Sequence, residues 1–342
     1  MDQAPQGGSR DWAPRSIGLL LGTLALATAF IAAYVGALHQ PTPRDLPVGV
    51  AAGDQRAEAA LAAVRDQTTI IKPVGYDDPD AAEHGLLSRS VYAVLSSRDS
   101  GLLLTVASAS GPSATSAIRE VLTTAAARSN TPLEVVDEVP VPPADPRGVV
   151  PFYLNVGFVL GGYLASTVLG ISAGTTPRTA RRAGLRIAAL AVYSVLLGIA
   201  GALVVGPGLD IYHHDVPTIA AIGALAVFAA AMLASAIQGW LGVAGTALVI
   251  LLLVVLGNPG SGGIYAPEFL PTLLRGMHRW NIPGLANDLT KAAVYFDWRS
   301  AGWPAAALAL WAVLGAAGLV TASLVRGRRA GASDPVPARD GG

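Results

Sequence analysis

Two adjacent imidazoles and a carboxylate, His213-His214-Asp215, form the run whose residue types most suggest metal ligation. Adjacent side chains diverge unless the backbone bends sharply, so convergence on one ion is not expected, and a polar loop explains the run more simply. Gly111-Pro112-Ser113 follows a strand-like stretch and precedes a helical one. Free amides at such a helix start can hold an anion, although an ordinary capped turn accounts for the same residues. His39, His84 and His278 are scattered and suggest nothing. No Ser/His/Asp set, phosphate-cradling glycine loop or Walker motif occurs. No enzyme, cofactor or resident metal is therefore expected. The absence of cysteine excludes disulfide and thiolate chemistry. With 23 Lys and Arg against 23 Asp and Glu, the chain carries no basic footprint for nucleic acid.

Two further constellations remain. Arg178, Arg181, Arg182 and Arg186 form a basic cluster between apolar runs. It marks a cytoplasmic loop by the distribution of Lys and Arg and is also a candidate contact for a cytoplasmic partner or anionic lipid heads. The second is the segment 258–301. It opens on the breaker run Asn258-Pro259-Gly260-Ser261-Gly262-Gly263, continues through Pro267-Glu268-Phe269-Leu270-Pro271, and breaks again at Pro283-Gly284. It is too apolar to be simply solvated. Short helices that lie in the interface or dip into the membrane as a re-entrant loop suit it better. Trp280, Tyr295, Trp298 and Trp303 suit headgroup depth.

The elements that position these groups follow from composition. The chain is 52% hydrophobic and 13% charged, against about 25% charged for a soluble domain, and its charges cluster. A crossing helix needs about 20 apolar residues. Charge-poor runs predict six spans, at 16–38, 152–173, 187–206, 217–237, 241–256 and 303–325, with a turn at 238–242 between the fourth and fifth. A cleaved signal peptide would leave five, but the first run exceeds the 7–15 residues of an ordinary signal core. No charge falls inside these runs, which counts against a proton- or sodium-driven transporter. Asn155 and Gln238 are expected to bond helix to helix. Arg10 and Arg15, the 178–186 cluster, and Arg326, Arg328 and Arg329 then share the cytoplasmic side. That gives a cytoplasmic N-terminus (1–15), a cytoplasmic disordered tail (326–342), and outward placement of 39–150, 207–215 and 258–301. Arg275, Arg279, Lys291 and Arg299 in the last of these run against the rule.

Residues 39–150 change character. Strand-like runs at 46–51, 69–74, 91–95, 102–107 and 133–136 alternate with helical runs at 55–66, 79–88 and 113–128. The pattern predicts a small extracytoplasmic α/β domain with a mainly parallel sheet and one hairpin at Arg98-Asp99-Ser100-Gly101. Pro140 to Pro146 reads as a stiff, extended connector into the five-helix membrane domain (151–325).

This layout resembles the phage infection protein (YhgE/Pip) family of the type-2 ABC exporter permease superfamily. The likeness rests on Asn258-Pro259, Gly262-Gly263, Pro267-Glu268-Phe269-Leu270-Pro271, Pro283-Gly284 and Tyr295-Phe296 before the last span. Val48-Gly49-Val50 and Gly161-Gly162-Tyr163 are similar too. The resemblance implies a permease-like subunit in the plasma membrane, a homodimer or paired half-permease exporting a lipid, drug or peptide-like substrate with a separate cytoplasmic ATPase. The loop 175–186 would be its contact. The short N-terminus and small inner loop depart from the family pattern and favour the alternative, a non-transporting scaffold or receptor whose domain binds a cell-envelope partner.

Overall fold

The computed structural model describes residues 12–332, and side chains from 16 to 326. Arg10, the side chains of Arg15, Arg328 and Arg329, and the tail beyond 332 lie outside the described residues.

The chain is a multi-pass membrane protein with a small α/β domain inserted after its first helix. Five helices are long and apolar enough to cross a membrane: Ser16–Leu38, Val150–Ala173, Ala180–Gly208, Val216–Leu241 and Gly302–Arg326. They belong to α1 (Trp12–Leu38), α5 (Val150–Ala173), α6 (Ala180–Leu203, continued by a π-helical end), α7 (Val216–Leu241) and α11 (Gly302–Ala332). The last helix thus continues past the span end expected near Val325. The run expected at 241–256 is not among the five. It forms α8 (Ala244–Ile250) and a π-helical turn, Leu251–Leu256. At 1.5 Å per residue this reaches only about 20 Å, short of a hydrocarbon layer of about 30 Å. Gly257 and Asn258 keep right-handed helical torsions into the 3-10 turn Pro259–Ser261, however, so helical backbone continues beyond it.

The turn between these last two runs falls later than 238–242 suggests. Helix α7 continues through Leu241, and Gly242 breaks it with φ of 64°. Gln238 therefore stays on the helix, buried, and bonds across to α5 and α8. Helix α7 is the hub of the bundle, packing on α5, α6, α10 (Ile282–Tyr295) and α11. Its small residues permit this. Gly162 and Gly198 sit where an added Cβ would lie 2.4 Å from the α7 carbonyl oxygens of Val227 and Ala220, the close backbone approach that small residues allow between membrane helices.

The α/β domain follows the expected order. It runs β1 (Leu46–Ala51), α2 (Gln55–Gln67), β2 (Ile71–Tyr76), α3 (Pro79–Leu87), β3 (Ala93–Arg98), β4 (Gly101–Val106), α4 (Pro112–Arg128) and β5 (Leu133–Asp137). The sheet order is β2-β1-β3-β4-β5, parallel except for the β3–β4 hairpin. Asp54 and Asp78 cap α2 and α3 by accepting from the amides of Ala57 and Ala81, as short polar N-cap residues do. Leu46, Val48, Leu61, Ile118 and Leu122 pack between the sheet and helices α2 and α4.

The connector is not extended. Asp145 is buried at 3% exposure, and its carboxylate accepts from the amides of Val149 (3.0 Å) and Val150 (2.9 Å). It thereby folds the connector into a turn against the start of α5, where an acidic group also complements the helix dipole.

Candidate functional site at the domain–bundle junction

The segment 258–301 joins the domain to the bundle. Helix α9 (Thr272–His278) and α10 fold back between them. Before α9, Tyr265, Ala266 and Phe269 pack into the sheet core. After α10, Phe296 joins Leu86, Val91 and Ala107 in a second cluster. Burying a phenylalanine side chain contributes about 1.5–3 kcal/mol, so this segment fastens the domain at two apolar points.

Charge is concentrated between those points. The Asp288 carboxylate of α10 receives the Arg89 guanidinium (Nη2 to Oδ1, 2.7 Å) and the His278 imidazole (Nε2 to Oδ2, 3.0 Å). Arg89 also donates to the Asp288 carbonyl at 3.0 Å, and its guanidinium lies 5.8 Å from the centre of the Phe296 ring. It follows α3 at a φ of 61°, a conformation few side-chain-bearing residues adopt without compensation. The paired interactions with Asp288 provide it. The other ring nitrogen of His278 faces the Gly260 carbonyl at 3.3 Å. Both nitrogens thus face acceptors, the arrangement of an imidazolium.

The electrostatics agree. Burial alone would lower the His278 pKa, but the adjacent Asp288 carboxylate outweighs it and the net shift is upward. Burial would raise Asp288, but His278 and Arg89 together hold it well below the usual carboxylate range. Lys291, one turn further along α10, is 3% exposed. Burial, reinforced by repulsion from Arg89, pulls its ammonium down to about 8. Its Nζ donates to the Ser110 carbonyl at 3.2 Å. Tyr92 of the domain donates to Glu268 at 2.8 Å. Burial and the Glu268 charge push its phenol well above the ordinary value. The Ala266 amide donates to Ser113 Oγ at 3.2 Å, so the Gly111-Pro112-Ser113 turn meets the bundle segment. A cavity of about 670 Å³ opens among Arg89, Glu268, Arg275, His278, Arg279 and Lys291.

The residues predicted for this segment serve mainly to shape it. Asn258 is buried, and Pro259 starts the 3-10 turn Pro259–Ser261. Gly262 has φ of 68°, and a Cβ there would lie 2.8 Å from His278 Cε1. Gly263 similarly leaves room for the Phe152 ring. Pro267 starts the turn that carries Glu268, and Pro271 precedes α9. Pro283 occupies the first turn of α10, which Asn281 caps by accepting from the Gly284 amide. A Cβ on Gly284 would lie 2.7 Å from the His278 carbonyl oxygen. Sequence reasoning missed Arg89, Tyr92 and Asp288, dismissed His278, and counted Lys291 only as a loop charge. Asp288 and Lys291 were detectable as charges three apart among Leu285, Ala286, Leu289, Ala292 and Ala293, a helix face too apolar for unpartnered ions.

The other predicted cluster is divided. Arg178 is an exposed loop residue, whereas Arg181, Arg182 and Arg186 lie on α6 rather than in a loop. Arg181 and Arg182 are exposed, but Arg186 is buried at 8% exposure. Its guanidinium donates to the carbonyls of Leu169 (3.2 Å), Gly174 (2.5 Å) and Thr175 (3.0 Å) at the end of α5. It satisfies helix-end acceptors that would otherwise lack partners, so it is not a free contact residue. Asn155 donates to Thr290 of α10 at 3.0 Å. Gln238 donates to Thr167 and Thr246 and accepts from Ser166, so both bond helix to helix. His213 pairs with Asp210 at 3.1 Å rather than converging with Asp215 on an ion site.

Comparison of the chain with protein-family models, curated proteins and solved structures finds no match.

Proposed function

We propose that this chain is a permease-like subunit of the plasma membrane that exports a lipid, drug or peptide-like substrate, powered by a separate ATPase. In this reading six segments cross the bilayer, the sixth being the α8 segment prolonged by helical backbone to Ser261. Both termini are cytoplasmic and the α/β domain lies outside. Two copies, or this chain and a related half-permease, complete the pathway. The supporting observation is the α9–α10 hairpin. It is folded back on the bundle, pinned to the domain by Arg89–Asp288, and bordered by a cavity containing cationic side chains. A site between a soluble domain and a helix bundle can couple movement of one to opening of the other. The likeness of 258–301 to the loop before the last span in the YhgE/Pip family points the same way.

The experiment is isolation of the full chain in mild detergent. The reading predicts a dimeric species and a co-purifying ATPase; a monomer without an ATPase contradicts it. The second reading, a non-transporting scaffold or receptor, draws on the small surface between α5 and α6, where the connection is short and Arg186 is internal. Deleting 46–139 separates the two. Loss of envelope-partner binding with no change in efflux favours the receptor, and loss of efflux favours the permease.

A further inference from the structure

The charged cavity has an apolar neighbour across α9. Arg275 and His278 line the cavity, whereas Gly276 and Met277 line a separate groove of about 330 Å³. Leu233 of α7, Leu252 of the π-helical turn and Trp311 of α11 complete its walls. The two hollows meet at a tryptophan pair. Trp303 borders the cavity, Trp280 borders the groove, and their rings stand edge to face with centroids 4.8 Å apart. The Trp303 indole is fixed through Nε1, which donates to the Arg279 carbonyl at 3.0 Å, and the Trp280 backbone is held by Trp311, whose Nε1 donates to its carbonyl at 2.8 Å. Paired tryptophans are typical of the level where headgroups meet acyl chains.

The charges on the polar side are unbalanced. Five cationic side chains line the cavity against the carboxylates of Glu268 and Asp288. Asp288 is taken by Arg89 and His278, and Glu268 accepts from Tyr92. Among the described residues Arg275, Arg279 and Lys291 form no ion pair. Lys291 is 3% exposed and has one acceptor, the Ser110 carbonyl, for three N–H donors. A buried ammonium so poorly partnered is costly unless an anion completes its shell.

We propose that this junction binds an anionic phospholipid. Its phosphate sits among Arg275, Arg279 and Lys291, and an acyl chain passes the Trp280–Trp303 pair into the groove against α7 and α11. Charge complementarity selects the head, and the groove selects an amphiphile over a free anion. The cavity lies within the roughly 300–1,000 Å³ of small-molecule sites, enough for a phosphoglycerol head. The inference deepens the permease reading by naming its substrate class, and it rests on that reading only for what happens after binding.

The test uses the full-length protein in an uncharged detergent, with tryptophan fluorescence followed during titration with dihexanoyl-phosphatidylglycerol. Parallel arms use dihexanoyl-phosphatidylcholine and inorganic phosphate. The phosphatidylglycerol should bind at least about tenfold tighter than either, the scale of one charge-assisted contact. The double variant Arg275→Gln/Arg279→Gln, whose side chains form no ion pair among the described residues, should lose that preference without a change in unfolding temperature. Gly276→Phe, at a position where an added Cβ meets no atom within 4 Å, should obstruct the groove. It should weaken the lipid about tenfold and leave inorganic phosphate unchanged, again by contact-scale arithmetic. Equal binding of the choline lipid overturns the headgroup assignment. Equal binding of inorganic phosphate shows a free-anion site and overturns the lipid. Unchanged binding in both variants removes the site altogether. None of these outcomes depends on an ATPase. Failure here with an ATPase bound leaves the permease reading standing without this substrate, and success without an ATPase leaves the site standing without the permease.

Discussion

The two ends of the helix bundle handle buried polarity in opposite ways. At the domain end, Arg89, His278, Asp288 and Lys291 place full charges around an open cavity. At the far end, Ser166, Thr167, Ser235, Gln238 and Thr246 form a neutral network between α5, α7 and α8, with bonds of 2.8–3.2 Å. Arg186 faces backbone carbonyls there, and Arg326 donates to the Thr176 hydroxyl and to the Trp240 carbonyl of α7. Neutral hydrogen bonds between membrane helices contribute modestly, about 0.6–2 kcal/mol, and hold a closed interface. Breaking a buried ion pair costs more, because the remaining charge is left uncompensated. The difference sets a charged, open junction at the domain end against a closed and mainly neutral interface at the other.

That contrast can be broken by substitution. Asp288→Asn strands both Arg89 and His278 and is expected to cost about 3 kcal/mol, the lower end for a broken buried pair because the site is partly open. Thermal unfolding in detergent should show the largest fall of the series, and limited proteolysis should release the α/β domain. Gly262→Val, next in size, meets both a φ of 68° and the His278 ring and should cost about 2 kcal/mol through strain and overpacking. Gln238→Leu removes the centre of the neutral network and should cost about 1 kcal/mol. A loss at Gln238 equal to that at Asp288 would erase the distinction between the ends.

The smallest expected effect is on pH dependence. The folded pKa of His278 is raised, so its contribution is complete below the unfolded value of about 6.5 and is lost as pH rises through the folded value. The folded pKa of Lys291 is lowered to about 8, so the penalty of burying its charge is complete below that pH and lifts as pH climbs from there toward the unfolded value of about 10.4. His278→Gln should flatten the first limb of the stability profile and Lys291→Met the second. An unchanged profile in both variants would show that neither group titrates differently on folding.

Legibility also differs between regions. In the α/β domain, apolar alternation and turn residues act locally, so the order of strands and helices and the β3–β4 hairpin follow from sequence. The register of β2 does not: it begins at Ile71 rather than 69, where pairing with β1 decides. The long apolar helices were equally visible, because a bilayer imposes length and hydropathy on each one separately. The α8 segment was less so, since its helix type depends on neighbours. The junction was the hardest part. Its glycines and prolines marked where the chain bends, but the partners of Asp288 lie in an earlier domain and a neighbouring helix. Sequence spacing does not predict that convergence. Arg186 misled for a related reason: charge near a span boundary reads as loop, yet its long side chain turns back to cap α5.

The most direct measurement is a double-mutant cycle on Arg89→Gln and Asp288→Asn in the full-length protein, read by unfolding in detergent. A charged pair that joins domain to bundle predicts a coupling of about 2 kcal/mol, within the range for residues in direct contact. Strict additivity within about 0.5 kcal/mol, the behaviour of independent sites, would contradict the pairing and with it the assignment of the junction as the working end of the molecule.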